Sequence, residues 1–364
     1  MINKIIPVAF LLFGIALSSC KTDESSEVFT VDSVAYSFSF LGCNRVNRGD
    51  VVDSIPSTAN KGVLERILKE MTLEKVKPEL FFFLGDLVLA ETDTAKLDLQ
   101  LEAWVDLYNK TSFDKSGIEM VAVPGNHEML YGRKVMQPDG KEKYEEFPLE
   151  YATKVWLRHM GDYMPTDRDR VGGKDSLVNR MTFAFIRKNI GFIVMNTDTY
   201  NPPTTENKYG LEGMIPLDWI IAKIKEYQQN EAIEHIFVLG HKPYYVDGKT
   251  ETGHKGLPEG PVLWPAMEKA GVKAMLSAHV HDYQRMQPYD SGTYQVIAGN
   301  GGSEGEATFF GYTTVNILSS GKVQLIAKGF DVGKPYTVLS KGRTTVRDST
   351  ILTMKKNANP YKKK

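Results

Sequence analysis

The chain has 364 residues, a formal net charge of −1, 42% apolar residues and 24% charged residues. The near-neutral charge leaves no electrostatic basis for a nucleic-acid partner. The apolar content is that of a globular protein long enough to bury a large core, as one large domain or two.

In chain order, "MINKIIPVAFLLFGIALSSC" comes first, with Lys4 as a short positive start and thirteen apolar residues at 5–17. That run is shorter than the roughly 20 apolar residues a bilayer requires, and it fits a secretory signal over 1–19. "LSSC" resembles a lipobox in which Cys20 is lipidated. The sequence therefore predicts an exported lipoprotein, periplasmic or at the cell surface, held by a lipid anchor at Cys20. Residues 20–33, with "CKTDESSE", read as a flexible tether. Residues 34–356 then read as one domain, and 357–364 as a basic, solvated tail. Of the two cysteines, this leaves Cys43 alone. A lone cysteine in an exported chain pairs with another molecule, serves as a functional thiol, or packs as a small hydrophobe.

Strand and helix patterns alternate through the domain, the signature of an α/β protein. "VAYSFSFLG" (34–42) alternates with period two, and "GVLERILKEM" (62–71) places Val63, Leu64, Ile67, Leu68 and Met71 on one helical face. "ELFFFLG" (79–85) reads as a buried strand, "LDLQLEAWVDLY" (97–108) as a helix and "IEMVAVPG" (118–125) as a strand. A polar stretch over about 130–180 breaks the rhythm as an insertion. "MTFAFIRKNIGFIVMNTD" (181–198) reads as strand, turn and strand, and "PLDWIIAKIKEYQQ" (216–229) as a helix. Strands follow in "IEHIFVLG", "GVKAMLSA", "TYQVIAG", "GYTTVNIL" and "GKVQLIAKG", with a helix near "VLWPAMEKA". The fold predicted is α/β, two packed mixed β-sheets flanked by helices.

The residues that follow the strands carry the chemistry. Cys43 follows the first strand, Asp86 the second and Asn126 with His127 the third. His241 follows "IFVLG", and His279 with His281 follow "AMLSA". The carboxyl ends of strands border the crevice where α/β sheets bind ligands. Five strand ends thus deliver a thiol, a carboxylate, a carboxamide and four of the seven histidines to one edge. These are donors for Zn, Fe or Mn. They are too many for one ion and suit two, an arrangement that recurs in phosphate-ester hydrolysis. His279 and His281, two apart, would face the same way on a strict strand.

"GDL" (85–87), "GNHE" (125–128), "GHKPYY" (240–245) and "AHVHDYQR" (278–285) together resemble the calcineurin-like metallophosphoesterases, the last two being most similar to purple acid phosphatases. The resemblance runs from about Val34 to Leu318 and implies a four-layer sandwich. It further implies that Asp86 bridges two metal ions, that Asn126, His241 and His279 complete the second ion's shell, and that His281 binds the first. His127 would stand beside the ions and protonate the leaving oxygen while a metal-bound hydroxide attacks phosphorus.

The departures fall in the first motif. Family members usually carry an Asp-x-His pair there, both ligands of the first ion, whereas this chain has Cys43 and Arg45. Leu89 stands where purple acid phosphatases have a tyrosine. Some alkaline phosphatases of the phosphodiesterase type carry a cysteine at this strand end as an iron ligand, so the resemblance implies Cys43 as a ligand and iron paired with zinc or manganese. Arg45 has no acceptor atom and is expected, with Asn44, to hold substrate phosphate, with Arg48 as a second candidate guanidinium. His254 reads as a surface histidine that could reach the cleft, and His159 and His235 as surface histidines. Tyr131, Arg133, Arg168 and Arg170 of the insertion could wall a substrate.

The expected function is a metal-dependent phosphoesterase acting on a phosphorylated small molecule, a phosphate monoester or diester. The alternative is a non-catalytic binding protein on a degenerate site.

Overall fold

The computed structural model describes residues 32–46, 56–171, 181–200, 215–246, 254, 256–289, 292–303, 307–332 and 342–354. The signal segment, Cys20, nearly all of the tether, Arg48 and the basic tail lie outside them.

The alternating run becomes β1 (Val34–Leu41) and the continuous apolar runs become β2 (Leu80–Leu84) and β3 (Glu119–Val123), with helices α1 (Lys61–Thr72) and α2 (Thr94–Lys110) between them. α1 buries Val63, Leu64, Ile67, Leu68 and Met71, the face its periodicity defines. Asp93 caps α2, accepting from the Ala95 and Lys96 amides at 2.9 and 3.2 Å. A one-turn helix, α3 (Asn126–Met129), follows β3.

The polar stretch contains more structure than its composition suggests. It folds as a hairpin of β4 (Leu130–Met136) and β5 (Glu142–Pro148), helix α4 (Glu150–Met160) and the short β6 (Asp169–Arg170). Ala152, Val155, Trp156 and Met160 have helical spacing and are buried; the charges between them mask that pattern in the sequence.

β7 (Phe183–Arg187) and β8 (Ile190–Met195) form the expected strand pair, followed by α5 (Leu217–Gln229), β9 (His235–Gly240), α6 (Gly260–Ala270) and β10 (Ala274–Ser277). The chain then runs β11 (Tyr283–Met286), β12 (Tyr294–Ala298), β13 (Phe309–Leu318), β14 (Val323–Asp331) and β15 (Thr345–Ile351).

One sheet has the order β15-β14-β13-β1-β2-β3 and the other β11-β12-β10-β9-β8-β7-β6. Within them β1, β2 and β3 are parallel, as are β8, β9, β10 and β12, and the remaining pairs are antiparallel. Alternation turns Leu80, Phe82 and Leu84 towards the second sheet and Phe81 and Phe83 towards the helices. Between the sheets lie Phe38, Phe82, Phe192 and Phe237, with Phe38 edge-on to Phe192 and Phe237 at 5.1 Å from each. Outside the first sheet pack α1, α2 and α4 with Trp104 and Trp156, and outside the second pack α5 and α6 with Trp264. The result is the helix–sheet–sheet–helix sandwich expected from the sequence. Among the described residues no helix is long and apolar enough to cross a membrane.

Candidate metal centre

The parallel strands of both sheets end at one edge, and the loops there tie to one another. Cys43 N–H donates to Gly85 O at 2.9 Å, Asn44 and Arg45 N–H to Asp86 O at 3.0 and 3.2 Å, and Ala278 N–H to His241 O at 2.9 Å. Gly85 and Gly125 permit the closest approach. A Cβ on Gly85 would lie 2.6 Å from Gly125 and from His241 Nδ1, and one on Gly125 2.3 Å from Asp86 Oδ1.

Cys43, Asp86 and His279 all turn into the left-handed region, with φ of 56°, 56° and 66°. That conformation costs roughly 1–2 kcal/mol for a residue with a Cβ, and such strain gathers at functional sites. It also corrects the expectation for the histidine pair. β10 stops at Ser277, so His279 and His281 project from a sharply bent loop rather than from one strand face.

Four side chains converge. His241 Nδ1 donates to Leu84 O at 2.7 Å, which turns Nε2 towards the centre. Nε2 lies 3.2 Å from Asp86 Oδ1 and 3.0 Å from Asn126 Oδ1. His279 Nδ1 lies 2.9 Å from Asn126 Oδ1 and 3.2 Å from His241 Nε2. Burial, then the neighbouring His241 and Lys242, press His279 well below the ordinary histidine range, so its imidazole is neutral. Burial alone would raise the Asp86 carboxyl. His241, His127 and Arg45 more than reverse this and hold it below the usual carboxylate range. A carboxylate oxygen, a carboxamide oxygen and two imidazoles directed at one point fit a divalent cation.

The other carboxylate oxygen of Asp86 faces different company. Cys43 Sγ lies 4.0 Å from Oδ2, and donor atoms of Cys43, Asp86 and His241 fall within 4.8 Å of one another. Burial and then Asp86 push the Cys43 thiol well above its ordinary pKa, with Arg45 opposing. Arg45 Nε stands 3.7 Å from Asp86 Oδ2, and its Nη2 donates to His281 Nε2 at 3.4 Å.

Asn44 departs from its expected place against phosphate. It is fully buried, its amide nitrogen donating to Gly301 O at 2.7 Å and Asn60 O at 3.3 Å; its polarity holds the loop. His127 stands at the centre's rim, half-buried, its amide donating to Asp86 Oδ1 and its Nδ1 to Leu89 O at 2.8 Å. Burial, then Arg45, bring its pKa down to about 4.

Two residues of the site carry little signal in the sequence. Glu128 is buried and accepts four backbone N–H groups, from Asp86 and Gly125 on Oε2 and from Leu87 and Val88 on Oε1. It locks the Asp86 loop to the Asn126–His127 turn. His254 is no plain surface histidine, because its ring stacks edge-on at 4.7 Å from His279 and 5.2 Å from His281. Only its place in the loop after β9 hints at this. His235 is buried at the opposite, amino end of β9, not at the surface as expected, whereas the partly exposed His159 binds the surface residue Asp98 at 2.6 Å. Arg168 donates to the Met164 and Pro165 carbonyls, Tyr131 is exposed, and the Arg133 side chain lies outside the described residues. Lys242, next to His241, is buried in an ion pair with Asp198 at 2.5 Å.

Residues 49–283 match the calcineurin-like phosphoesterase family. The chain belongs to that family, whose members bind a dinuclear metal centre. The match begins after Cys43 and Arg45. No curated protein matches the chain by sequence. Among solved structures it is similar to a purple acid phosphatase from yellow lupin (Lupinus luteus) seeds, at 14% identity and a TM-score of 0.55 over 89% of this chain and 54% of that one. It is similar to PhoD, at 11% identity and a TM-score of 0.56 over 90% and 73%. GAP50, the anchor in the inner membrane complex of Plasmodium, matches at 14% identity and a TM-score of 0.52 over 88% and 89%. The chain thus spans about half the lupin protein's length, and at these identities the likeness is one of fold.

Proposed function

We propose that the protein is an exported, lipid-anchored hydrolase of phosphate esters, monoester or diester, on small molecules. The observation that carries this reading is the convergence of Asp86 Oδ1, Asn126 Oδ1, His241 Nε2 and His279 Nδ1, four metal-ligand atoms on distant loops brought within 2.9–3.2 Å of their neighbours. Such an arrangement is stable around a cation and serves no evident packing purpose. A metal ion held there by Asp86, Asn126, His241 and His279 would supply an acidified water and neutralise charge on the phosphoryl oxygens.

The chain's own groups supply the rest. Arg45 offers a planar pair of N–H donors to two phosphoryl oxygens. His127, with Nδ1–H fixed on Leu89 O, keeps Nε2 for the leaving oxygen. Its pKa of about 4 in the free protein rises when a phosphate anion adjoins the ring, because the anion favours the charged imidazolium. The protonated acid is therefore a property of the complex.

His127→Ala should slow hydrolysis of alkyl phosphates roughly 10²–10⁴-fold, the scale of general acid catalysis. Aryl phosphates with an acidic leaving group should be slowed far less, since their leaving oxygen needs no proton. Equal slowing of both, or loss of bound metal, would remove His127 from this role. For the reading as a whole, mono- and diesters of 4-nitrophenol are offered to the protein with Fe, Zn or Mn. Turnover of either supports an esterase. No turnover with any metal would favour the alternative of a binding protein on the same scaffold.

A further inference from the structure

Asp86 divides the centre into two unlike halves. On the Oδ1 side stand metal-ligand atoms of Asn126, His241 and His279, with the His127 amide as the one backbone donor described there. On the Oδ2 side the nearest charged group is a guanidinium, Arg45 Nε at 3.7 Å. We infer that this chain holds one metal ion, on the Oδ1 side, and that the Arg45 guanidinium is its permanent second cation on the Oδ2 side.

This rests on the metal-dependent phosphoesterase reading and departs from the family's dinuclear pattern. Three features carry it. First, the atoms an ion on the Oδ2 side would require are already addressed by Arg45. His281 Nε2 accepts from Nη2 at 3.4 Å, and a guanidinium, always charged and without an acceptor, can only donate there. The lone pair that would bind metal is thus directed at arginine. Second, Arg45 is built in. It is 9% exposed, its amide donates to Asp86 O, its carbonyl accepts from Ser303 Oγ at 2.8 Å, and it pairs with Ala59 as an isolated bridge. Third, a metal ion and a guanidinium cannot share this small buried volume, because two cations at contact in a low dielectric repel strongly. Cys43, 4.0 Å from Asp86 Oδ2, is then a neighbour of the ion pair and not a ligand.

The consequence for substrate is specific. The planar fork of Arg45 would hold two phosphoryl oxygens beside any held by a bound ion, and the fork persists in chelator. The protein stripped of metal should therefore still bind inorganic phosphate weakly, through Arg45.

The test counts ions. Metal-stripped protein is titrated with Mn²⁺, bound metal per chain is measured by elemental analysis, and the electron paramagnetic resonance spectrum is recorded. Wild type should saturate at one ion per chain, with a single-ion spectrum free of exchange coupling. Arg45→His replaces the cation with a lone-pair donor and should saturate at two coupled ions. Arg45→Lys keeps the charge and should stay at one. Two ions on wild type would overturn the inference and leave the phosphoesterase reading standing, whereas none would overturn both. One ion on a folded Arg45→His protein would equally overturn the part given to Arg45. The wild-type count decides the matter even if the histidine variant fails to fold.

Discussion

Asp86→Ala should abolish metal binding and turnover together. Asp86 is the only carboxylate described at the centre whose two oxygens face both halves, Oδ1 towards His241 at 3.2 Å and Oδ2 towards Arg45 Nε at 3.7 Å. Loss of an outer-shell partner of a metal ligand typically costs about 10–100-fold in affinity, so loss of the ligand carboxylate itself should cost more than about 10²-fold. Asp86 sits at φ 56°, where an alanine is itself strained, so Asp86→Asn is the companion variant. Asparagine tolerates that backbone and keeps the shape but removes the charge. Isothermal titration with Mn²⁺ and a hydrolysis assay on both variants give the answer. Near-normal activity in either would sink the assignment of this carboxylate.

Glu128→Ala should destabilise the protein more than any other single change outside the core. Its two oxygens take four buried N–H groups, at 2.7 to 3.1 Å, and a buried donor left without a partner costs roughly 1–3 kcal/mol. The four together come to at least about 4 kcal/mol, a large part of the roughly 5–15 kcal/mol by which folded proteins are stable. Thermal unfolding should show the drop directly. Burial, then Asp86, push the Glu128 carboxyl up to about 8, against the pull of the backbone donors. Glu128→Gln keeps one oxygen and turns an amide nitrogen towards two of the donors, so its loss should be smaller but clear. A change below about 1 kcal/mol in the alanine variant would mean that the turn holds itself without Glu128.

Much of this was legible in the sequence because strand period and strand ends carry strong signals. "FFFLG" followed by Asp86, and "FVLG" followed by His241, mark buried parallel strands and the polar residue each delivers to the crevice. The helix over 150–160 was not legible, since Glu150, Lys154 and Arg158 hide the spacing of Ala152, Val155, Trp156 and Met160. The bounds of β15, within a stretch that reads as β from Thr293 onward, are weakly marked for the opposite reason. β15 is an exposed edge strand, "TVRDSTI", whose alternation has little to bury. At the site, residue type revealed which groups bind and not how they are aimed. The bend at His279, the backbone bonds of Asn44 and the stacking of His254 depend on loop contacts between distant strands, which no local pattern encodes. The reach of Arg45 to His281, 236 positions away, belongs to the same class.

The most direct test of the account is phosphate release before and after metal removal. Protein treated with chelator should lose hydrolysis of 4-nitrophenyl phosphate or its diester and regain it when Mn²⁺, Zn²⁺ or Fe²⁺ is returned, while Asp86→Asn regains none. Activity that survives complete metal removal, or that never appears with any metal, would contradict the claim that this cluster is a metal-dependent phosphoesterase centre.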